Sequence, residues 1–261
     1  MAAGRGYPLR LTLREGKPLV GSFVSIASPT VAEVMALAGF DFLVVDTEHG
    51  PTSIETAENV LRAAEVGGAA SVVRVPDASP AAIARALDIG AMGVQVPGVE
   101  TPEQAREVVR AAKYYPAGKR GIGLTRSARF AAVQPSTYFT RANEQTMVIV
   151  HCETQLALAN LPGILQVDGV DVVYVGPFDL SQSLGAPGQV NLPQVQAAIN
   201  DALDRIIASG VAAGTHALSP AHARLLIQKG VRYITLGADY LYLLHSCRND
   251  LADARRPERP H

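Results

Sequence analysis

Short apolar runs recur along the chain, each closed by a Gly, Pro or Asp break and followed by an amphipathic stretch. The runs cover residues 20–25, 42–46, 71–75, 93–97, 147–153, 172–176, 211–216 and 233–237. Their continuous apolar character predicts strands buried on both faces, as parallel strands are. The stretches between them predict helices at residues 30–37, 54–64, 80–87, 102–113, 154–161, 192–208, 220–228 and 240–249. Pro80 and Pro102 stand where a helix accepts proline, in its first turn. About eight βα units in 261 residues predict an α/β fold, a (β/α)8 TIM barrel forming a single domain over residues 1–261. A doubly wound sheet would need a Gly-rich turn directly after an early strand. The one candidate, Gly121-Ile122-Gly123, follows a loop instead. Residues 114–138 break the pattern, and a long loop in such a domain is usually functional or a lid. The tail, about residues 254–261, carries two prolines and three arginines and is expected to be disordered.

Composition narrows the classes. The chain is 48% hydrophobic, enough for one barrel, and no Pro/Ser-rich linker divides it. A net charge of -1 and a pI of about 6.6, with no basic stripe, argue against a nucleic-acid partner. No apolar run reaches the length of a membrane span or of a signal-peptide core, so a membrane partner is not expected. The two cysteines, Cys152 and Cys247, form no disulfide framework, which fits the cytoplasm. Cys152 falls on the opposite strand face from Glu153 and is expected to fill space against a helix.

The chemistry gathers where the predicted strands end. Asp46, Glu48 and His49 follow the run FLVV, and Arg74 ends SVVR. Gln95 lies in GVQVP, His151 and Glu153 end MVIVHCE, and Asp179 follows VVYVGP. In a barrel these positions converge on one mouth. Glu153 and Asp179 could simply cap the helices that follow. If they converge, two carboxylates suit a hard divalent cation such as Mg²⁺ or Mn²⁺. Arg74, in an apolar strand, needs an anion: a structural acid, a substrate carboxylate or a developing oxyanion. His49, just past a strand end in an acidic turn, is placed to be a general base or a ligand. The four lysines, Lys17, Lys113, Lys119 and Lys229, all lie outside the predicted strands. A Schiff-base aldolase needs a desolvated strand lysine, so carbanion chemistry here would need a metal as electron sink.

The motifs AGFDFLVVDTEHGP, VVRV, LDIGAMGVQVPGVET, AREVVRAAKYYPAGKRGIG, ETQLALANLPGIL, VDGVDVVYVGPFDLS and LGADYLYL occur in order across nearly the whole chain. As a set they resemble the HpcH/HpaI aldolase family, metal-dependent class II pyruvate aldolases that include 4-hydroxy-2-oxoheptanedioate aldolase. The resemblance implies a TIM barrel in a homo-oligomer, a hexamer built as a trimer of dimers, whose final helix is exchanged between subunits. It implies reversible retro-aldol cleavage of 4-hydroxy-2-oxo acids to pyruvate and an aldehyde through a metal-stabilised pyruvate enolate, in aromatic or sugar acid catabolism. By position, Glu153 and Asp179 match the family's ligands to a divalent metal ion, Mg²⁺, Mn²⁺ or Co²⁺. Arg74 matches its catalytic arginine, and His49 its base, with Asp46 in the same motif. Asp88 matches an acid that reaches the neighbouring subunit's histidine. Gly176, Pro177 and Phe178 match the turn whose backbone contacts the pyruvate carboxylate.

Two positions depart from the pattern. His151 stands where the family usually has glutamine, and Phe178 where alanine is common. A strand rises about 3.3 Å per residue, so His151 starts roughly 7 Å below Glu153. That spacing predicts a substrate-binding or outer-shell role, touching a metal-bound water or the substrate, rather than metal ligation. Two alternatives remain: a thioester-using relative of the citrate lyase or citrate synthase kind, and a non-catalytic metal-dependent binder of 2-oxo acids.

Overall fold

A computed structural model of the chain describes residues 9–132 and 134–256. The strands are β1 (Leu19–Val24), β2 (Phe42–Asp46), β3 (Ala70–Arg74), β4 (Gly93–Val96), β5 (Met147–Cys152), β6 (Val172–Val175), β7 (Ala212–Ala217) and β8 (Tyr233–Ala238). Each pairs in parallel with the next, and β8 returns to β1, closing an eight-stranded barrel. The helices are α1 (Leu9–Arg14), α2 (Pro29–Leu37), α3 (Ile54–Gly67), α4 (Pro80–Asp88), α5 (Pro102–Ala112), α6 (Pro135–Gln145), α7 (Gln155–Ile164), α8 (Pro177–Ser183), α9 (Pro193–Ser209), α10 (Pro220–Lys229) and α11 (Asp239–Ala254). The (β/α)8 expectation is met, with strand ends within a residue of those predicted.

Strand alternation sorts the core into two layers. Leu43, Val45, Val73, Val148, Val150, Cys152, Val173 and Val175 face out and pack under the helices. Phe42, Val44, Ala70, Val72, Met147, Ile149, Val172 and Tyr174 face in. Leu9 and Leu13 of α1 plug the N-terminal end of this inner core. Along β2, β3 and β5 the inward series changes chemistry at its last member: Phe42-Val44-Asp46, Ala70-Val72-Arg74 and Met147-Ile149-His151. The barrel is therefore apolar below and polar at its C-terminal mouth. Burial pushes the Cys152 thiol up to about 12, as suits an inert packing group.

The helices start where the sequence stops them from starting elsewhere. Thr101 and Gln104 form a reciprocal capping box, with Pro102 in the first turn. Ser53, Ser79, Thr154 and Ser219 each accept a backbone N–H from the following turn.

Three helices, α1, α6 and α8, and a 3₁₀ segment at Arg126–Ala131 are not among the predicted elements. The 3₁₀ segment and the start of α6 occupy the irregular stretch at 114–138. The lid expectation is not met over this chain's own mouth. Arg126 donates to Ile89 O at 2.8 Å and pairs with Glu65, and the Thr125 hydroxyl donates to Asp88 O. Ile89 and Glu65 lie where helices end and strands begin, so the segment sits at the opposite end of the barrel. The last helix extends through Ala254, past the predicted end, and residues 257–261 of the expected tail lie outside the described residues. Among the described residues, no helix is long and apolar enough to cross a membrane.

Gly21 is where the inner core allows no side chain. It pairs with Phe42 in the β1–β2 register, and Phe42 stacks on Tyr233 with centroids 4.3 Å apart. A Cβ at Gly21 would fall against the Phe42 ring and stand 2.5 Å from its carbonyl oxygen. Gly21→Ala should therefore destabilise the fold by about 1–3 kcal/mol, read as a lower midpoint in urea. An unchanged midpoint would mean that the inner core has slack.

Candidate active site

Asp46 and Arg74 are neighbours in the β2–β3 register and meet side by side. Arg74 Nε donates to Asp46 Oδ1 at 3.0 Å and Nη2 to Oδ2 at 2.6 Å, a two-point fork. Nη1 lies 3.1 Å from Glu48 Oε2, and the guanidinium sits 4.8 Å from the Phe23 ring centroid. Burial raises the Asp46 pKa, but the Arg74 fork and charge, with the His49 and Glu48 N–H groups, outweigh it and hold the carboxyl below its usual range. Glu48 shifts the other way: burial wins over Arg74 and its pKa is raised. Two of the five arginine N–H donors are hydrogen-bonded to Asp46, and Nη1 is ion-paired with Glu48, which leaves donors for another oxygen.

Glu153 caps no helix. Thr154 does that, accepting from Ala157 N. The Glu153 carboxylate instead turns inward, taking the Gly98 N–H on Oε1 at 2.8 Å and meeting His151 Nδ1 with Oε2 at 2.6 Å. The other ring nitrogen of His151 lies 2.8 Å from Gln95 Nε2, and the Tyr233 hydroxyl donates to Gln95 Oε1 at 3.1 Å. The donors can run in one order. Tyr233 gives its hydrogen to the Gln95 oxygen, so the Gln95 amide gives one to His151 Nε2. The imidazole hydrogen is then on Nδ1 and goes to Glu153. Burial opposes ionisation of Glu153, but His151 and the Gly98 N–H outweigh it and lower its pKa. Both His151 nitrogens are thus taken by protein, and the ring stacks on Tyr174 at 4.9 Å. It reaches the Glu153 carboxylate itself, closer than the strand spacing implies.

Asp179 lies in the first turn of α8, exposed, next to the Gly176 that precedes the helix. A Cβ on Gly176 would stand 2.8 Å from Glu153 Oε2, so a glycine is what leaves that carboxylate room. Asp46, His49, Arg74, His151, Glu153, Gly176, Pro177, Phe178 and Asp179 line one cavity of about 410 Å³ at the C-terminal mouth. His49 is at its rim, with Nε2 3.8 Å from Glu48 Oε2 and a largely exposed side chain. Glu153 and Asp179 are hard oxygen donors on one cavity and could hold a divalent cation that keeps positions for water and substrate. Among the described residues no group of three or more His, Cys, Asp or Glu side chains is assembled for a metal.

Asp88 is elsewhere. It ends α4, at the barrel's N-terminal end, and accepts from Arg120 Nη2 at 2.6 Å. Within one chain it does not join the mouth. Lys113 is also at that end: burial takes its pKa down to about 8, and its ammonium donates to Asn143 O and Thr146 O, just before β5. Among the described residues no lysine lines the mouth cavity. A larger cavity, about 940 Å³, also opens at the N-terminal end, between Arg10, Gly90, Met92 and Arg126. It lacks the strand-end carboxylates, so its size does not make it the site.

Glu48 and Gln95 join the mouth as their strand-end positions predict, and Tyr174 and His216 join it although the sequence does not single them out. His216 ends a strand just as His151 does, and that signal was available.

A parallel barrel with its charged groups at the C-terminal mouth is the architecture of a barrel enzyme. The chain belongs to the HpcH/HpaI aldolase/citrate lyase family, matched over residues 19–246. It is 38% identical over 247 residues to a 2-keto-3-deoxy-L-rhamnonate aldolase of Salmonella gallinarum (strain 287/91 / NCTC 13346), covering 94% of this chain and 92% of that protein. A HpcH/HpaI aldolase/citrate lyase family protein from Burkholderia cenocepacia J2315 has 36% identity and a TM-score of 0.91, over 96% of this chain and 100% of the other. The citrate synthase SbnG has 31% identity and a TM-score of 0.87, over 95% and 97%.

The Arg74 side chain is 12% exposed, so losing its fork partner should cost heavily. Asp46→Asn is expected to lower stability by about 3 kcal/mol at neutral pH, measured by urea unfolding. Because the folded-state pKa of Asp46 is depressed, its contribution is present above the ordinary 3.8 and is lost as pH falls through the folded value. The gap between wild type and variant should therefore close in acid. A gap that stays constant into acid would assign the stability to something other than the ion pair.

Proposed function

We propose that the chain is a class II aldolase, a carbon–carbon lyase that cleaves 4-hydroxy-2-oxo acids reversibly to pyruvate and an aldehyde. The observation that carries this reading is that Glu153, Asp179, Arg74 and His49 line a single cavity. The family and the 38% identical rhamnonate aldolase support it.

Glu153 and Asp179 would hold a divalent cation, Mg²⁺, Mn²⁺ or Co²⁺. Bound there, it supplies Lewis-acid charge beside the 2-oxo oxygen. The chain's own groups do the rest. His49, acting through water, takes the proton of the substrate's 4-hydroxyl. The C3–C4 bond breaks, the aldehyde leaves, and the bonding pair delocalises toward the 2-oxo oxygen. The N–H donors of Arg74 that Asp46 does not take meet that developing charge. His49 then returns a proton to C3, giving the pyruvate methyl group. Asp46 and Glu48 keep the guanidinium in place, and Gln95 and His151 orient Glu153. The Gly176-Pro177-Phe178 turn binds the substrate carboxylate through its backbone.

The same reading extends to assembly and compartment. Among the described residues of α11, Asp239 alone is buried, and Tyr240, Leu243, Leu244 and Leu251 are exposed. An apolar helix face of this kind supports exchange of α11 between subunits of a hexamer, a trimer of dimers. Asp88 would approach His49 from a neighbouring subunit. The cytoplasm is the compartment assigned, in keeping with Cys152 and Cys247 being unpaired. A thioester reading has one observation in its favour, the 31% identity to a citrate synthase, and acetyl-CoA turnover would reveal it.

Exchange of pyruvate methyl protons in D₂O tests the half-reaction without an aldehyde. The wild type should exchange with Mn²⁺ and stop with a chelator, and borohydride should trap no lysine adduct. His49→Ala should slow exchange by about 10²–10⁴-fold while Mn²⁺ still binds. Chelator-resistant exchange, or a His49→Ala variant that exchanges at the normal rate, would contradict the reading.

A further inference from the structure

Tyr233 has no exposed surface and is not among the residues that line the mouth cavity. It begins β8, inside the barrel, with its ring stacked on Phe42. Among the described residues its hydroxyl has one hydrogen-bond partner, Gln95 Oε1 at 3.1 Å. No step of the proposed reaction uses this hydroxyl. Its contacts nevertheless lead, through three hydrogen bonds, to Glu153.

The direction of those bonds is fixed at the buried end. A buried phenol left without an acceptor is costly, so Tyr233 donates. The amide of Gln95 must then turn its oxygen to Tyr233 and its nitrogen to His151. An amide nitrogen only donates, so the His151 Nε2 that it meets at 2.8 Å carries no hydrogen. The ring hydrogen is therefore on Nδ1, which lies 2.6 Å from Glu153 Oε2. The Gly98 N–H holds the other carboxylate oxygen. Turning the amide over reverses this order. Its oxygen would draw the ring hydrogen to Nε2, and the bare Nδ1 lone pair would face the Glu153 carboxylate, which would have to swing away. The ring is stacked on Tyr174 with centroids 4.9 Å apart, so the amide is the group with freedom to turn.

We propose that Tyr233 is a positioning residue for the cation site: by holding the Gln95 amide in one orientation, its hydroxyl keeps the His151 hydrogen on Nδ1 and the Glu153 carboxylate aimed at the cation. A core hydroxyl that touches neither cation nor substrate thus sets how tightly the mouth holds its metal. Groups that orient a metal ligand from outside typically contribute about 10–100-fold to affinity. This inference rests on the reading of Glu153 and Asp179 as the cation's ligands.

The test is Mn²⁺ titration of the full chain at one neutral pH, followed by electron paramagnetic resonance. Tyr233→Phe keeps the ring and its stack and removes only the hydroxyl. It should weaken Mn²⁺ binding by on the order of 10-fold. The same change is then made in a His151→Gln background. The amide nitrogen of a glutamine at 151 carries two hydrogens, which serve Glu153 and a turned Gln95 together, so the orientation of Gln95 no longer matters. There Tyr233→Phe should move the affinity by less than about 2-fold, the usual limit of additivity. A loss that came only from a disturbed core would be the same in both backgrounds. Gln95→Met, which breaks the middle link, should weaken binding to a similar extent and serves if Tyr233→Phe does not fold. An unmoved affinity in Tyr233→Phe, or an equal loss in both backgrounds, overturns the proposal. Glu153→Gln, run alongside, separates the failures. Binding that Glu153→Gln weakens but Tyr233→Phe does not sinks this inference alone, and binding that Glu153→Gln leaves unchanged sinks the cation-site reading together with it.

Discussion

A guanidinium inside a β-barrel is tolerated only when its charge is met at once, and Asp46 does that from the neighbouring strand. The β2–β3 register puts the two residues side by side, each the last inward position of its strand. Shifting one strand by a single residue would turn one partner out under the helices and leave the other charge buried alone. The apolar series below them, Phe42-Val44 and Ala70-Val72, fixes that register through packing. The core therefore determines where the charges are, and the charges determine what the mouth can bind. Asp46 takes two N–H donors of Arg74 and Glu48 meets its charge at Nη1, which leaves donors of the guanidinium for another oxygen.

A second dependence runs from buried tyrosines. Tyr233 and Tyr174 lie inside the barrel, where burial raises both pKa values and keeps the phenols protonated. Each must find an acceptor. Tyr233 uses Gln95, and the consequence passes through His151 to Glu153. Tyr174 meets Thr235 Oγ1, which also meets His216 Nδ1. Two buried hydroxyls thus connect to two histidines that line the same cavity.

The barrel was legible because its strands are continuous apolar runs and because helix starts carry Pro, Ser or Thr. What escaped lacked those signals. In α1 the sequence LRLTLR alternates like a strand, and α6, PSTYFTRANEQ, has Tyr138 as its sole buried residue among those described. The strand-end acids and Arg74 were legible because chemistry at the end of an apolar run stands out. Gln95 was legible as a strand-end residue but not its partners, His151 on β5 and Tyr233 on β8, and His216, which meets Thr235 on β8, was not singled out. The length of the irregular stretch at 114–138 suggests a functional loop or a lid, and only the contacts of Arg126 and Thr125 put it at the other end.

The central claim is that Glu153 and Asp179 form one hard-cation site, oriented by the hydrogen bonds that end on Glu153. Mn²⁺ titration followed by electron paramagnetic resonance tests this without turnover. The account predicts a saturable site in the wild type that Glu153→Gln and Asp179→Asn each weaken by on the order of 10²-fold or more, and that pyruvate tightens. Mn²⁺ binding that is unchanged in both variants would contradict it.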